Sequence, residues 1–138
     1  MALATLSTKI TSEIGAAIDI YHPTTNLPLG IAIVVCGTDS DSYKTIQRKQ
    51  LNRRLEQQKK RRGNQLSMTA EELEAEAMDV LVACTKGWAT GDRLELELNT
   101  DEWLPCTPEN VRRVYEELPW LKEQIDQAIG DRTNFLQG

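Results

Sequence analysis

The chain has 138 residues, 40% of them hydrophobic and only 5% aromatic, with a formal net charge of −5. A single domain over residues 1–138 buries about two-thirds of its unfolded surface, so no disulfide or metal staple is required. No apolar run approaches the ~20 residues of a membrane span and no basic start leads into an apolar leader, which together point to a soluble, cytoplasmic protein.

Residues Met1 to Thr11 are small and polar, with isolated Leu3, Leu6 and Ile10, and leave a flexible arm and an edge strand both open. Between about residues 15 and 37 the period changes to two. Ile18 and Ile20 alternate with Asp19, and Ile31, Ile33 and Val35 follow a connection that holds Pro23, Asn26, Pro28 and Gly30, so two strands with a long turn are expected. The second, GIAIVVC, is almost continuously apolar, as in a strand buried on both faces or at a subunit contact.

Gly37 to Ser42 reads as a turn in which Asp39 or Ser40 caps a helix over about 41–62. Tyr43, Ile46, Leu51 and Leu55 give that helix one thin apolar seam, and Gly63 with Asn64 ends it. Thr69 and Glu72 have capping-box spacing and open a second helix over about 69–86 through Leu73, Ala77, Val80, Leu81 and Cys84. The first helix is basic and the second acidic, which favours an antiparallel pair with opposed charges. After Gly87 a loop anchored by Trp88 is expected, then a short strand through Leu94, Leu96 and Leu98. Thr107, Pro108 and Glu109 start a helix over about 108–118 with Val111, Val114, Tyr115 and Leu118 on one stripe. Pro119 ends it and opens the last, over about 119–136, with Leu121, Ile125, Ala128 and Ile129 inward. The expected fold class is α+β, a small N-terminal antiparallel sheet followed by a mainly helical body.

Catalytic signatures are missing from this sequence. His22 is the only histidine and sits beside Pro23 in a loop, no phosphate-binding glycine loop occurs, and Cys36, Cys84 and Cys106 have no chelating spacing. The cysteines read as buried free thiols in a reducing compartment. Paired carboxylates such as Glu71/Glu72, Glu95/Glu97 and Glu116/Glu117 fall at solvent-facing positions, where nothing would perturb their acidity. No enzyme activity, cofactor or metal is expected.

Charge is the feature that points to a partner. Nine basic residues lie between Lys44 and Arg62 against Glu56 alone, leaving seven basic and twenty acidic residues elsewhere. A DNA or RNA contact would use such a helix for phosphates, yet no aromatic residue follows Tyr43 within it and the acidic remainder repels a polyanion, so protein contact is favoured. Together with the GIAIVVC strand, this split suggests a homo-oligomer joined through a sheet edge.

The segment from Trp103 to Leu136 also resembles a known family. Trp103, Leu104, Pro105, Thr107, Pro108, Asn110 and Val111, then Pro119, Trp120 and Ile125, then Asp131, Arg132, Asn134, Phe135 and Leu136 form a succession similar to the small tail assembly chaperones of long-tailed bacteriophages. GTDSDSYK at Gly37 to Lys44 and KGW at Lys86 to Trp88 look like further landmarks. The resemblance implies a non-catalytic protein of the bacterial host cytoplasm that keeps the tape-measure protein soluble until tail tube protein assembles around it, and that is absent from the mature particle. A structural tail or connector component is the first alternative, and a nucleic-acid-binding regulator using the basic helix the second. Client contact is assigned to Arg48, Arg53 and Lys60 of the basic helix, with Trp120 and Phe135 as anchors.

Overall fold

The computed structural model describes residues 3–7, 9–60 and 69–136 of the chain. It is a mixed α+β structure. A 3-10 turn at Leu3–Leu6 and the short helix α1 (Lys9–Ile14) lead into strands β1 (Ala16–Tyr21) and β2 (Pro28–Val35). Two longer helices follow, α2 (Asp41–Lys60) and α3 (Ala70–Cys84), then strands β3 (Thr85–Thr90), β4 (Glu95–Asn99) and β5 (Glu102–Pro105). Helices α4 (Pro108–Glu117) and α5 (Pro119–Gly130) and a 3-10 turn at Arg132–Phe135 complete it.

The principal sheet is antiparallel in the order β1-β2-β3, so its third strand enters only after both long helices. Ile33 lies opposite Ile18 on one side and Trp88 on the other, and Val35 opposite Ala16 and Thr85. Residues directly opposite share a face, so Ile33, Val35 and Trp88 point together into the core. Ala32 and Val34 occupy the reverse face and are half-buried. GIAIVVC thus forms the central strand of this sheet, with Ile33 and Val35 inward and Ala32 and Val34 on the half-buried reverse face.

The strand β3 corrects the expected loop. Helix α3 stops at Cys84 because Thr85 already has extended backbone (φ −85, ψ 117), and TKGWAT then pairs along β2 with Trp88 buried. Gly87 and Lys86 blur the alternation that would have marked a strand, and pairing to β2 overrides the weak local preference. Trp88 also reaches beyond its own sheet. Its Nε1 donates to the Leu104 carbonyl at 3.0 Å, tying β3 to the β4-β5 hairpin, in which Leu96 and Leu104 are opposite and buried.

Capping sets the helix starts. Ser40, rather than Asp39, caps α2: its Oγ accepts from the Tyr43 N–H at 3.1 Å and donates to the Gly37 carbonyl at 2.7 Å. Asp39 instead holds Arg132 at 2.9 Å. Thr69 Oγ1 accepts from Glu72 N–H at 3.1 Å, and Thr107 Oγ1 from Asn110 N–H at 3.3 Å.

The last helix is shorter than the 119–136 expected. It ends at Gly130, where Asp131 accepts from the Thr133 N–H and hydroxyl and turns the chain into the Arg132–Phe135 segment. Glycine has low helix propensity and an aspartate side chain competes for backbone N–H groups, so the break is local in origin. This turn carries Phe135 into the core beneath Gly37. A Cβ at Gly37 would meet the Phe135 ring at 2.8 Å and Ser12 Oγ at 2.6 Å. The expected end of α2, at Arg61 to Asn64, lies outside the described residues.

The buried side chains form one cluster: the inward face of the sheet, Leu81 and Cys84 of α3, Val111, Val114 and Tyr115 of α4, Leu121, Ile125 and Ile129 of α5, and Phe135. Thr85 Oγ1 gives its proton to the Leu81 carbonyl at 2.8 Å, so Tyr115 donates to Thr85 at 2.6 Å. The Tyr115 hydroxyl is therefore satisfied inside the core, and burial pushes its pKa up.

Candidate interaction site on the charged helix pair

Helices α2 and α3 pack antiparallel. Ile46 and Ala83 line one recess near their body end, and Arg53, Gln57, Glu72, Ala75, Glu76 and Asp79 line another further out. The body end is anchored by Tyr43, Val80 and Leu81 beside Ile129 of α5. The seam between the two helices is polar in its outer half. Gln50, only 8% exposed, donates from Nε2 to the Glu76 carbonyl at 2.8 Å, and Arg54 pairs with the Glu76 carboxylate.

That seam corrects the reading of α2. Leu51 and Leu55 were expected to line it, but Gln50 and Arg54, each one position earlier, face α3 instead. A one-residue step rotates a helix by about 100°, so the two leucines turn outward and are 54% and 47% exposed. On α3, Leu73 is 50% exposed between Glu72 and Glu74. These leucines offer apolar surface on charged helices, and Ile14, Leu27 and Leu94 are exposed elsewhere on the protein.

The charges around them are mostly unneutralised. Among the described residues, no ion pair engages Lys44, Arg48, Lys49, Arg53 or Lys59 of α2, nor Glu71, Glu72 or Glu74 of α3. Asp79 is different, for it holds Arg112 of α4 at 2.5 Å and ties α3 to the body.

The assigned contact residues are divided by this arrangement. Arg48 and Arg53 are exposed on α2, Arg53 at the recess with Glu72 and Glu76. Lys60 is the last residue of α2, and its side chain lies outside the described residues. Trp120 stands in the first turn of α5, half-buried and packed against the core, whereas the end of α5 that approaches α2 is the opposite one, at Ile129. Phe135 is fully buried. It cannot anchor a client in this conformation: the Asp131 turn folds it under Gly37, a placement that the sequence spacing, read as continued helix, did not reveal.

Other chemistry-bearing groups are occupied with structure. His22 Nδ1 accepts from the N–H groups of Thr24 and Thr25, both at 3.1 Å, and so shapes the β1-β2 turn. Cys36 and Cys84 are buried opposite one another, with Cys36 N–H donating to the Cys84 carbonyl at 2.7 Å. Burial raises the pKa of both thiols, that of Cys84 to about 12, which keeps them protonated and poorly nucleophilic near neutrality. Among the described residues, no group of three or more potential metal ligands converges and no helix is long and apolar enough to cross a membrane.

Comparison with protein families, with curated proteins and with solved structures gave no match to this chain. The site must therefore be interpreted from its own geometry and from the resemblance in its sequence.

Proposed function

We propose that this protein is a non-catalytic tail assembly chaperone of a long-tailed bacteriophage, which binds the tape-measure protein in the host cytoplasm and keeps it soluble until tail tube protein takes over. In this reading the small sheet begun at the N-terminus is a platform for a mainly helical body, and the α2/α3 pair is the working surface. The observation that carries it is the exposure of Leu51, Leu55 and Leu73 on helices dense in charge. A long, partly helical client prone to aggregation needs apolar contact that remains soluble, and apolar side chains set among charges supply it. Arg48 flanks that surface, Arg53 lies in the recess between the two helices, and Trp120 offers its exposed part at a separate place.

The test is co-expression of the tape-measure protein with and without this chain. The reading predicts that the soluble fraction of the client rises with the chain present, that the two co-purify, and that purified particles contain none of it. Retention in particles at fixed stoichiometry would indicate a structural tail component instead. Co-purifying nucleic acid that is released as salt rises would indicate the regulator.

A further inference from the structure

We infer that the α2/α3 pair is a self-complementary surface on which a second copy of this chain docks, each copy's α2 lying against the other's α3. The inference stands on charge and exposure, and because the dimer covers the leucines of the proposed client contact, client and second copy compete for them. Along α2, Arg48 and Lys59 bracket Leu51 and Leu55, all exposed, at spacings that place them on one side of the helix. Along α3, Ala70, Leu73 and Ala77 share one side of the helix and are exposed, with Glu74 at its edge, whereas Glu71, two positions before Leu73, points away from it. One face is basic around an apolar centre, and the other is apolar with an acidic edge at Glu74. They fit each other.

They do not meet within one molecule. The intramolecular seam is already filled by Gln50, Arg54 and Glu76, while Arg48, Lys59 and Glu74 carry no ion pair among the described residues. A two-fold axis resolves this, because placing α2 of one copy on α3 of the other makes the reciprocal contact at the same time and closes the assembly as a dimer. The leucines are then buried together as in a four-helix packing, and opposed charges at the rim set the register. A partner with only one sign of charge would satisfy one helix and oppose the other. A second copy satisfies both.

The experiment is sedimentation equilibrium on the full chain, with folding of every variant verified by circular dichroism and thermal melting. Wild type should be a monomer–dimer system, weaker as salt increases. The variants Arg48→Glu/Lys59→Glu and Glu74→Lys should each self-associate at least about tenfold more weakly, because like charges then face one another across both contacts. Mixed in equal amounts, the two should form a heterodimer in which every reversed charge meets its opposite. Leu51→Asp/Leu55→Asp should be monomeric at every salt concentration. A wild-type chain that stays monomeric into the high micromolar range overturns the inference. So does a dimer that both charge variants leave unweakened, and so does a mixture that fails to associate. If the leucine variant does not fold, the charge variants and their mixture decide.

Discussion

The C-terminal helices α4 and α5 and the helix pair α2/α3 treat their apolar residues in opposite ways. Val111, Val114 and Tyr115 of α4 and Leu121, Ile125, Ala128 and Ile129 of α5 are all buried, with α5 packed on β1 and β2 and α4 on α3 and α5. Of the expected apolar stripe of α2, only Tyr43 and Ile46, near the body, are half-buried, while Leu51 and Leu55 remain exposed and polar groups fill the outer seam. A helix that has spent its apolar face on the core has little left for a partner, whereas one held by a glutamine amide and an ion pair keeps its leucines available. In the proposed function, the first region supplies stability and the second supplies contact.

Substitutions should separate the two. Phe135→Ala removes a fully buried ring from beneath Gly37 and should destabilise the fold by about 3–5 kcal/mol, measured by chemical denaturation. A loss below about 1 kcal/mol would mean that Phe135 is not core, and would return it to the candidate surface. Gly37→Ala places a methyl group against the same ring and Ser12, and should cost about 1–3 kcal/mol by overpacking.

Titration sharpens the comparison further, since the strongly perturbed thiols and phenol are in the body. An acid whose pKa is raised on folding stabilises the native state below its unfolded value and loses that contribution as pH rises. For Cys84 the loss should run from its ordinary 9.0 towards about 12, in the same direction as for Cys36 and Tyr115. Glu102, held down by Asn99 and Arg113, and Asp131, held down by Thr133, have the opposite sense: their contribution is present above the unfolded pKa and lost as pH falls through the folded one. Melting temperature should therefore decline on the alkaline limb, and Cys84→Ala should flatten that decline. An unchanged alkaline limb in that variant would contradict the buried-thiol account. The smallest effect is expected from Leu51→Asp/Leu55→Asp, within about 0.5 kcal/mol of wild type per exposed position, because neither side chain is enclosed.

Local signals that depend on a few neighbouring residues were readable from the sequence. The Thr107-Pro108 start, the Thr69/Glu72 cap, the buried stripes of α4 and α5 and the β1 and β2 strands follow from capping chemistry and periodicity, while of the opposed charges expected to join α2 to α3 only Arg54 and Glu76 pair among the described residues. Features decided by distant partners were not. TKGWAT becomes a strand only because β2 offers an edge to pair with, and Phe135 is core only because the Asp131 turn aims it at a glycine far away in sequence. The seam of α2 was misplaced by one residue, since composition favours leucine inside and gives no hint that Gln50 and Arg54 find partners on Glu76. That single step is what exposes the candidate surface.

The most direct test of the central claim, that the charged helix pair binds the client while the packed body only supports it, is client solubility on co-expression with wild type and with Leu51→Asp/Leu55→Asp. The account predicts that the variant melts like wild type yet leaves the tape-measure protein in the insoluble fraction, where the wild-type chain keeps it soluble. A folded variant that solubilises the client as well as wild type does would contradict it.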